Sequence, residues 1–205
     1  MLTRYNFNEA MRGGCPQEEE DPSGEWVRAE DPLHRLWESF TAVHTDIMRP
    51  NLPPEWKDCT NEELARETAS QRIMGVGPGV SFGVAMADAL GRPVGLIPAA
   101  HGGTTLDQWS QARKGEGDHS LYGAVLQRIE RAGGNLRGVL WYQGESDGNN
   151  GDESTYAERF DEWIAALRAD TARADLPVAV VQLGRVVRPG LQGTELAWET
   201  IREAM

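Results

Sequence analysis

Cysteine is nearly absent from the 205-residue chain: Cys15 and Cys59 stand alone, in no CxxC or ligand-like spacing. Neither a disulfide framework nor a structural zinc site can be built from them. Basic charge is also scarce. Lys57 and Lys114 are the only lysines, and 20 Lys+Arg face 32 Asp+Glu for a net charge of −12. A field of that sign repels phosphate backbones and anionic lipid, so nucleic acid and membrane surfaces are not expected as partners. Long apolar runs are missing too. The stretches around Val94–Ala100 and Val178–Leu183 fall far short of the roughly 20 residues a membrane helix needs, and the polar start MLTRYNFNEAMRGG has no apolar core of a signal peptide. His34, His44, His101 and His119 form no HExxH or HxH pattern, so no metal is expected, and no cofactor. The compartment is left undetermined.

The length fits one compact unit, residues 1–205, able to bury roughly 70% of the surface its unfolded chain exposes. Residues 1–74 read as an irregular, loop-rich segment anchored by Trp26, Trp37 and Trp56, interrupted by the acidic run Glu18–Asp21 and the Pro53-Pro54 pair. From residue 75 to 205 helix and strand patterns alternate. Phe82, Met86 and Leu90 recur at helical spacing and stop at Gly91, after which Val94–Pro98 reads as a buried strand. Leu121, Val125, Leu126 and Ile129 mark a second helix closed by Gly133-Gly134, followed by a strand over Leu136–Tyr142. Thr155-Tyr-Ala-Glu158 reads as a capping box opening a third helix with the apolar stripe Tyr156, Phe160, Trp163, Ile164 and Leu167. Val178–Leu183 gives a further strand and Thr194–Met205 a last helix. Apolar strands separated by helices predict an α/β three-layer sandwich with a parallel sheet. Ligands in such sheets bind beyond the carboxyl ends of the strands, which is where chemistry is to be sought.

Several motifs fail on inspection. Gly75-Val-Gly-Pro-Gly79 lacks the third glycine of a dinucleotide fingerprint and reads as a structural turn. Asp147-Gly-Asn-Asn-Gly151 has the wrong fifth and sixth positions for a calcium loop and reads as a solvated turn. Gly144-Glu-Ser146-Asp-Gly148 matches GxSxG, but no histidine follows His119 and a polar loop over Asn149–Ser154 is expected where a nucleophile elbow needs a helix. Two loops at strand ends remain, Ala99–Trp109 and Trp141–Asp147. Gly102 and Gly103 can present backbone N–H groups and Gln143 a neutral side-chain donor, the parts of an oxyanion hole. The same residues equally allow a bland role in which Gln143 satisfies loop backbone and the glycines only turn the chain.

These loops, with GVGPGVSFG, PAAHGGTTLDQW and GVLWYQGESD followed by TYAERFDEWIAALRAD, resemble the SGNH hydrolase superfamily, and within it carbohydrate esterase family six and the sialate O-acetylesterase-like proteins. The resemblance covers about Trp26 to Leu183. It implies a flavodoxin-like sheet and a serine esterase that removes acetyl groups from carbohydrate. It also implies an oxyanion hole from Gly102, Gly103 and Gln143, with Glu145 near the catalytic histidine and Trp109 and Tyr142 lining the sugar site. That family carries its nucleophile in a Gly-Gln-Ser-Asn block after the first strand and its base in a terminal Asp-x-x-His block. Neither block occurs at the corresponding place here, and Ser23 and Ser39 lack the context. The resemblance therefore implies an incomplete fold, a missing first strand and a polypeptide that is nearly inactive alone. A sugar-binding remnant without catalysis and a hydrolase using Ser146 are the alternatives.

Overall fold

The computed structural model describes residues 5–8, 25–31, 33, 42–51, 54, 58–60, 63–64, 77–186 and 192–205. Cys15, the acidic run, Ser23, His34, Trp37, Ser39, Pro53, Trp56 and Gly75 lie outside them, as does the side chain of Trp26. The chain divides into two compact units, residues 1–101 with 127–133, and residues 102–126 with 134–205.

In the first unit β1 (Tyr5–Asn8) lies between β2 (Glu25–Arg28) and β3 (Gly95–Leu96). β1 runs antiparallel to β2, pairing Tyr5 with Arg28, and parallel to β3, pairing Tyr5 with Gly95. This corrects two expectations. The N-terminal segment contributes strands where only irregular chain was anticipated, and a strand does occupy the place beside β3. Four-residue strands such as YNFN are too short to show a period of two against their surroundings. The sheet is also mixed rather than purely parallel.

Helix α1 (Ala42–Met48) follows, then α2 (Pro78–Leu90). Pro78 occupies the start of α2, where its missing N–H costs nothing, and Gly91 closes it at φ 64°, a left-handed conformation that glycine adopts freely. The helix bounds follow the sequence, but the buried face does not: Gly83 and Ala87 are buried, whereas Leu90 is exposed. A Cβ at Gly83 would sit 2.9 Å from Leu96 Cδ1, so the small residue is what lets α2 approach β3. Gly79 likewise leaves room for Leu33, in keeping with a structural role for that glycine cluster.

Helix α3 (Leu121–Arg131) runs from residues of the second unit into residues of the first. Gly133 and Gly134 end the segment at φ 98° and 69°. In the second unit a short 3-10 turn (Leu106–Trp109) and a kinked one (Gln111–His119) precede α3. The strands β4 (Val139–Trp141) and β5 (Val178–Val180) pair in parallel, Trp141 opposite Val180, and are shorter than the apolar runs that encode them. Helices α4 (Glu145–Asn150), α5 (Glu153–Asp170) and α6 (Gln192–Ala204) complete this unit, with α6 packed on α4 and α5. The stripe of α5 is as expected: Tyr156, Phe160, Trp163 and Leu167 are buried. Trp141 receives it, with ring centroids 4.3 Å from Trp163 and 5.5 Å from Phe160.

Two local expectations are overturned here. Thr155 and Glu158 do not cap α5, which starts two residues earlier after Asp152; both side chains are exposed within the helix. Asp147–Asn150 is the body of α4 and not a solvated turn. Gly151, at φ 85°, caps α4, and α5 begins almost at once, so turn-like composition conceals two abutting helices. The architecture is thus mixed α/β, helix-rich, with parallel pairing in β1–β3 and β4–β5.

Candidate active site

Strand β4 ends at Trp141, and the chain must then turn sharply into α4. Gly144 makes that turn at φ 143°, a backbone conformation open to glycine. A Cβ there would also come within 2.9 Å of Ile201 Cγ2 on α6. The turn directs Gln143 inward and brings Asp147, three residues on, into the interior: the Asp147 side chain is fully buried.

A buried carboxylate must find donors. The Leu106 N–H lies 3.0 Å from Asp147 Oδ2 and 3.1 Å from Oδ1, and Arg159 of α5 donates Nη2 to Oδ1 at 3.2 Å. The Gln143 amide nitrogen donates to Asp147 Oδ2 and, at 2.9 Å, to the Thr104 carbonyl. Its Oε1 accepts from the Tyr156 hydroxyl at 3.1 Å, and that hydroxyl also reaches the Gln143 carbonyl and accepts from Trp141 Nε1 at 3.2 Å. Two acceptors against the nitrogen and a donor against the oxygen fix the amide orientation. Tyr156 and Arg159 lie three apart on α5 and so reach the same turn. Burial, with the charges of Asp147 and Glu145 adding to it, pushes the Tyr156 hydroxyl up to about 12, so it stays a neutral donor.

This network pins the start of the 102–109 loop. Thr104 is held by its carbonyl, Leu106 by its N–H, and Trp109 donates Nε1 to Thr104 Oγ1 at 3.0 Å. Gln108 Oε1 accepts the Thr105 N–H at 2.9 Å, a back-capping contact that tightens the 3-10 turn. Just ahead of the pinned residues sit Gly102 and Gly103, both exposed. Gly103 has φ 73°, which requires glycine, and no hydrogen bond joins its N–H to another described residue. Gly102 has no such backbone demand, and a Cβ on it would meet nothing within 4 Å.

The six residues singled out from sequence fare differently. Gly102, Gly103, Gln143, Glu145, Trp109 and Tyr142 all fall in the second unit. Gln143 has both amide hydrogens engaged, so it serves loop backbone and Asp147 and is not an idle donor as built. Trp109 is 6% exposed, edge-on to Trp141 with centroids 5.7 Å apart, and is core rather than the wall of a sugar site. Tyr142, 59% exposed, presents its ring to solvent. Glu145 begins α4, half-buried, in the first turn where the helix dipole favours a carboxylate. Ser146 lies inside α4, which starts one residue earlier, whereas a nucleophile elbow puts serine at the strand-to-helix turn itself. Sequence reasoning missed Asp147, Arg159 and Tyr156 as one polar network. The signal was slight: an acid before Gly148, whose missing side chain makes room for Trp198. Among the described residues no group of three or more His, Cys, Asp or Glu could hold a metal ion.

The chain is 31% identical over 183 residues to the probable carbohydrate esterase At4g34215 of Arabidopsis thaliana, with 86% of this chain and 65% of that protein covered. The X-ray structure of Arabidopsis thaliana AT4G34215 superposes with a TM-score of 0.63 at 24% identity, covering 98% of this chain and 62% of that one, and bears on the fold alone. The chain thus spans a little under two thirds of the relatives it matches. The family described as carbohydrate esterase, sialic acid-specific acetylesterase (SASA) matches residues 19–205, and this protein belongs to that family.

Proposed function

We propose that the chain carries the oxyanion half of a serine-type carbohydrate O-acetylesterase with a flavodoxin-like, SGNH-type fold. Family membership supports ester hydrolysis on carbohydrate. The observation that carries the finer reading is the exposed Gly103 N–H, without a partner among the described residues, one position from a carbonyl anchored by Gln143. A backbone donor held in place before the reaction lowers the cost of charge on an acyl oxygen, because nothing need reorganise as charge develops. In this reading Gly103, with Gly102 beside it, is the donor, and Gln143 and Asp147 are positioning residues. Gly102 admits close approach of the acetyl group, a role its backbone does not otherwise demand. Glu145 and Tyr142 flank the turn, Tyr142 as the exposed platform for a sugar ring.

The sequence has no Gly-Gln-Ser block to supply the family's nucleophile. The chain by itself is expected to accelerate hydrolysis by no more than roughly 10³ to 10⁴ over water, the residue left when a triad member is removed. Acetate release from acetylated xylo-oligosaccharides and O-acetylated sialic acid tests this. Saturable binding with weak or no turnover is the expected result, and absence of binding to either sugar would overturn it. Full enzymatic turnover would instead point to a nucleophile within this chain; fluorophosphonate labelling lost in Ser146→Ala would then assign it to Ser146.

A further inference from the structure

Outside this loop, two histidines face each other in the first unit. His44 lies in α1 and is 1% exposed; His101 follows β3. His44 Nδ1 and His101 Nε2 are 3.1 Å apart, with ring centroids at 5.2 Å and planes inclined by 45°. That centroid separation is close to the value for two rings meeting nitrogen to nitrogen along one line, so the two nitrogens point at each other with room for a proton between them. A metal ion does not fit between them, since two zinc–nitrogen bonds placed head-on would hold the nitrogens about 4 Å apart. One proton does fit.

We propose that His44 and His101 form an acid-opened clasp, closed while the pair holds at most one extra proton, which on opening releases the chain after β3 from α1. The geometry dictates the sequence of states. In the neutral pair one ring donates and the other accepts. A first added proton leaves an imidazolium donating to an imidazole, a charge-assisted bond stronger than the neutral one. A second would set two N–H groups point to point at 3.1 Å, each on a cation, and the contact must break. Burial and the neighbouring His101 hold the His44 imidazole down at about 4, so that second proton arrives only in acid. Asp46 of α1 and Asp88 of α2 are exposed, as are Glu130 and Arg131 of α3. Arg49 donates to the Cys59 carbonyl, and Arg128 of α3 donates to the Pro98 carbonyl, three residues before His101. The inference is independent of any esterase activity.

Nuclear magnetic resonance of the full chain from pH 8 to 3.5, following the imidazole nitrogens and amide exchange together, tests the clasp. The wild type should show two separate histidine steps for this pair. At the second, amides in the last turn of α1 and at Leu96 should lose about tenfold in protection while Trp163 and Leu167 in α5 keep theirs. His101→Gln should abolish that loss, because a carboxamide can offer N–H to neutral His44 and, flipped, oxygen to the cation. His101→Ala should show the low protection at every pH. Unchanged protection in the wild type through the second step, a single two-proton step, or loss at the same pH throughout both units would each overturn the proposal, and the wild-type data decide this even if a variant does not fold.

Discussion

A backbone N–H, an amide and a guanidinium all terminate on one buried carboxylate, that of Asp147. Its replacement by alanine leaves the Leu106 N–H without an acceptor and removes one of the two acceptors of both the Gln143 amide and Arg159 Nη2. Because Arg159 keeps some solvent, the cost should be about 3 kcal/mol, toward the lower end of the range for a broken buried pair. Asp147→Asn retains one oxygen and should cost about half as much. Urea denaturation monitored by tryptophan fluorescence measures both, and equal stabilities for the two variants would refute the shared-acceptor account. Little of this was legible from the sequence. Gly102, Gly103 and Gln143 stand out because donors at strand ends have a known chemical use, but whether Gln143 faces an acyl oxygen or its own loop depends on a carboxylate four residues later. Spacing gives no sign that Asp147 is inside. Trp109 misleads for a related reason: an aromatic next to a glycine turn looks like a sugar platform until the core behind it is seen to need that ring.

At the scale of elements, helix ends were legible and helix faces were not. Gly91, Gly133 and Gly134 stop helices because they accept positive φ, a property of the residue alone. Which face of α2 is buried depends on how closely β3 approaches, and there the small residues Gly83 and Ala87 prevail over Phe82, Met86 and Leu90. The segment from 145 to 170 hides its break because Gly151 closes one helix within two residues of the next. Gly144 is the least replaceable glycine of this set, needing both its φ of 143° and the space against Ile201. Gly144→Ala should cost more than about 2 kcal/mol, from backbone strain and overpacking together. Gly102→Ala, with open space and no positive φ, should cost less than about 0.5 kcal/mol. Thermal unfolding of the two variants side by side checks the contrast, and comparable losses would contradict it.

For the whole molecule the α/β class was legible from apolar runs separated by helices, since burial and period are both written in sequence. The strands β1 and β2 were not, because pairing between distant segments leaves no local periodicity. Stability should carry a signature of the buried imidazole. His44 titrates at about 4 in the fold and near 6.5 when unfolded, so the unfolded chain takes up the proton first. The stability it contributes is complete above about pH 6.5 and is lost as pH falls through 4. Glu195, held low by the Val186 N–H and Arg202, starts to lose its own contribution only as pH falls below about 4.5, so the stretch from pH 7 to 4.5 is free of it. Urea midpoints between pH 7 and 4 should fall in the wild type and much less in His44→Gln; parallel slopes would rule out His44 as the source.

The account as a whole rests on a loop pinned at Thr104 and Leu106 that offers the Gly103 N–H to an acetyl oxygen. Titrating the nitrogen-15-labelled chain with an acetylated xylo-oligosaccharide and following the Gly103 amide proton tests it most directly. The prediction is a saturable downfield shift at Gly103, with Leu106 unmoved, that weakens severalfold in Asp147→Ala. Saturable binding that leaves the Gly103 resonance where it was would contradict it.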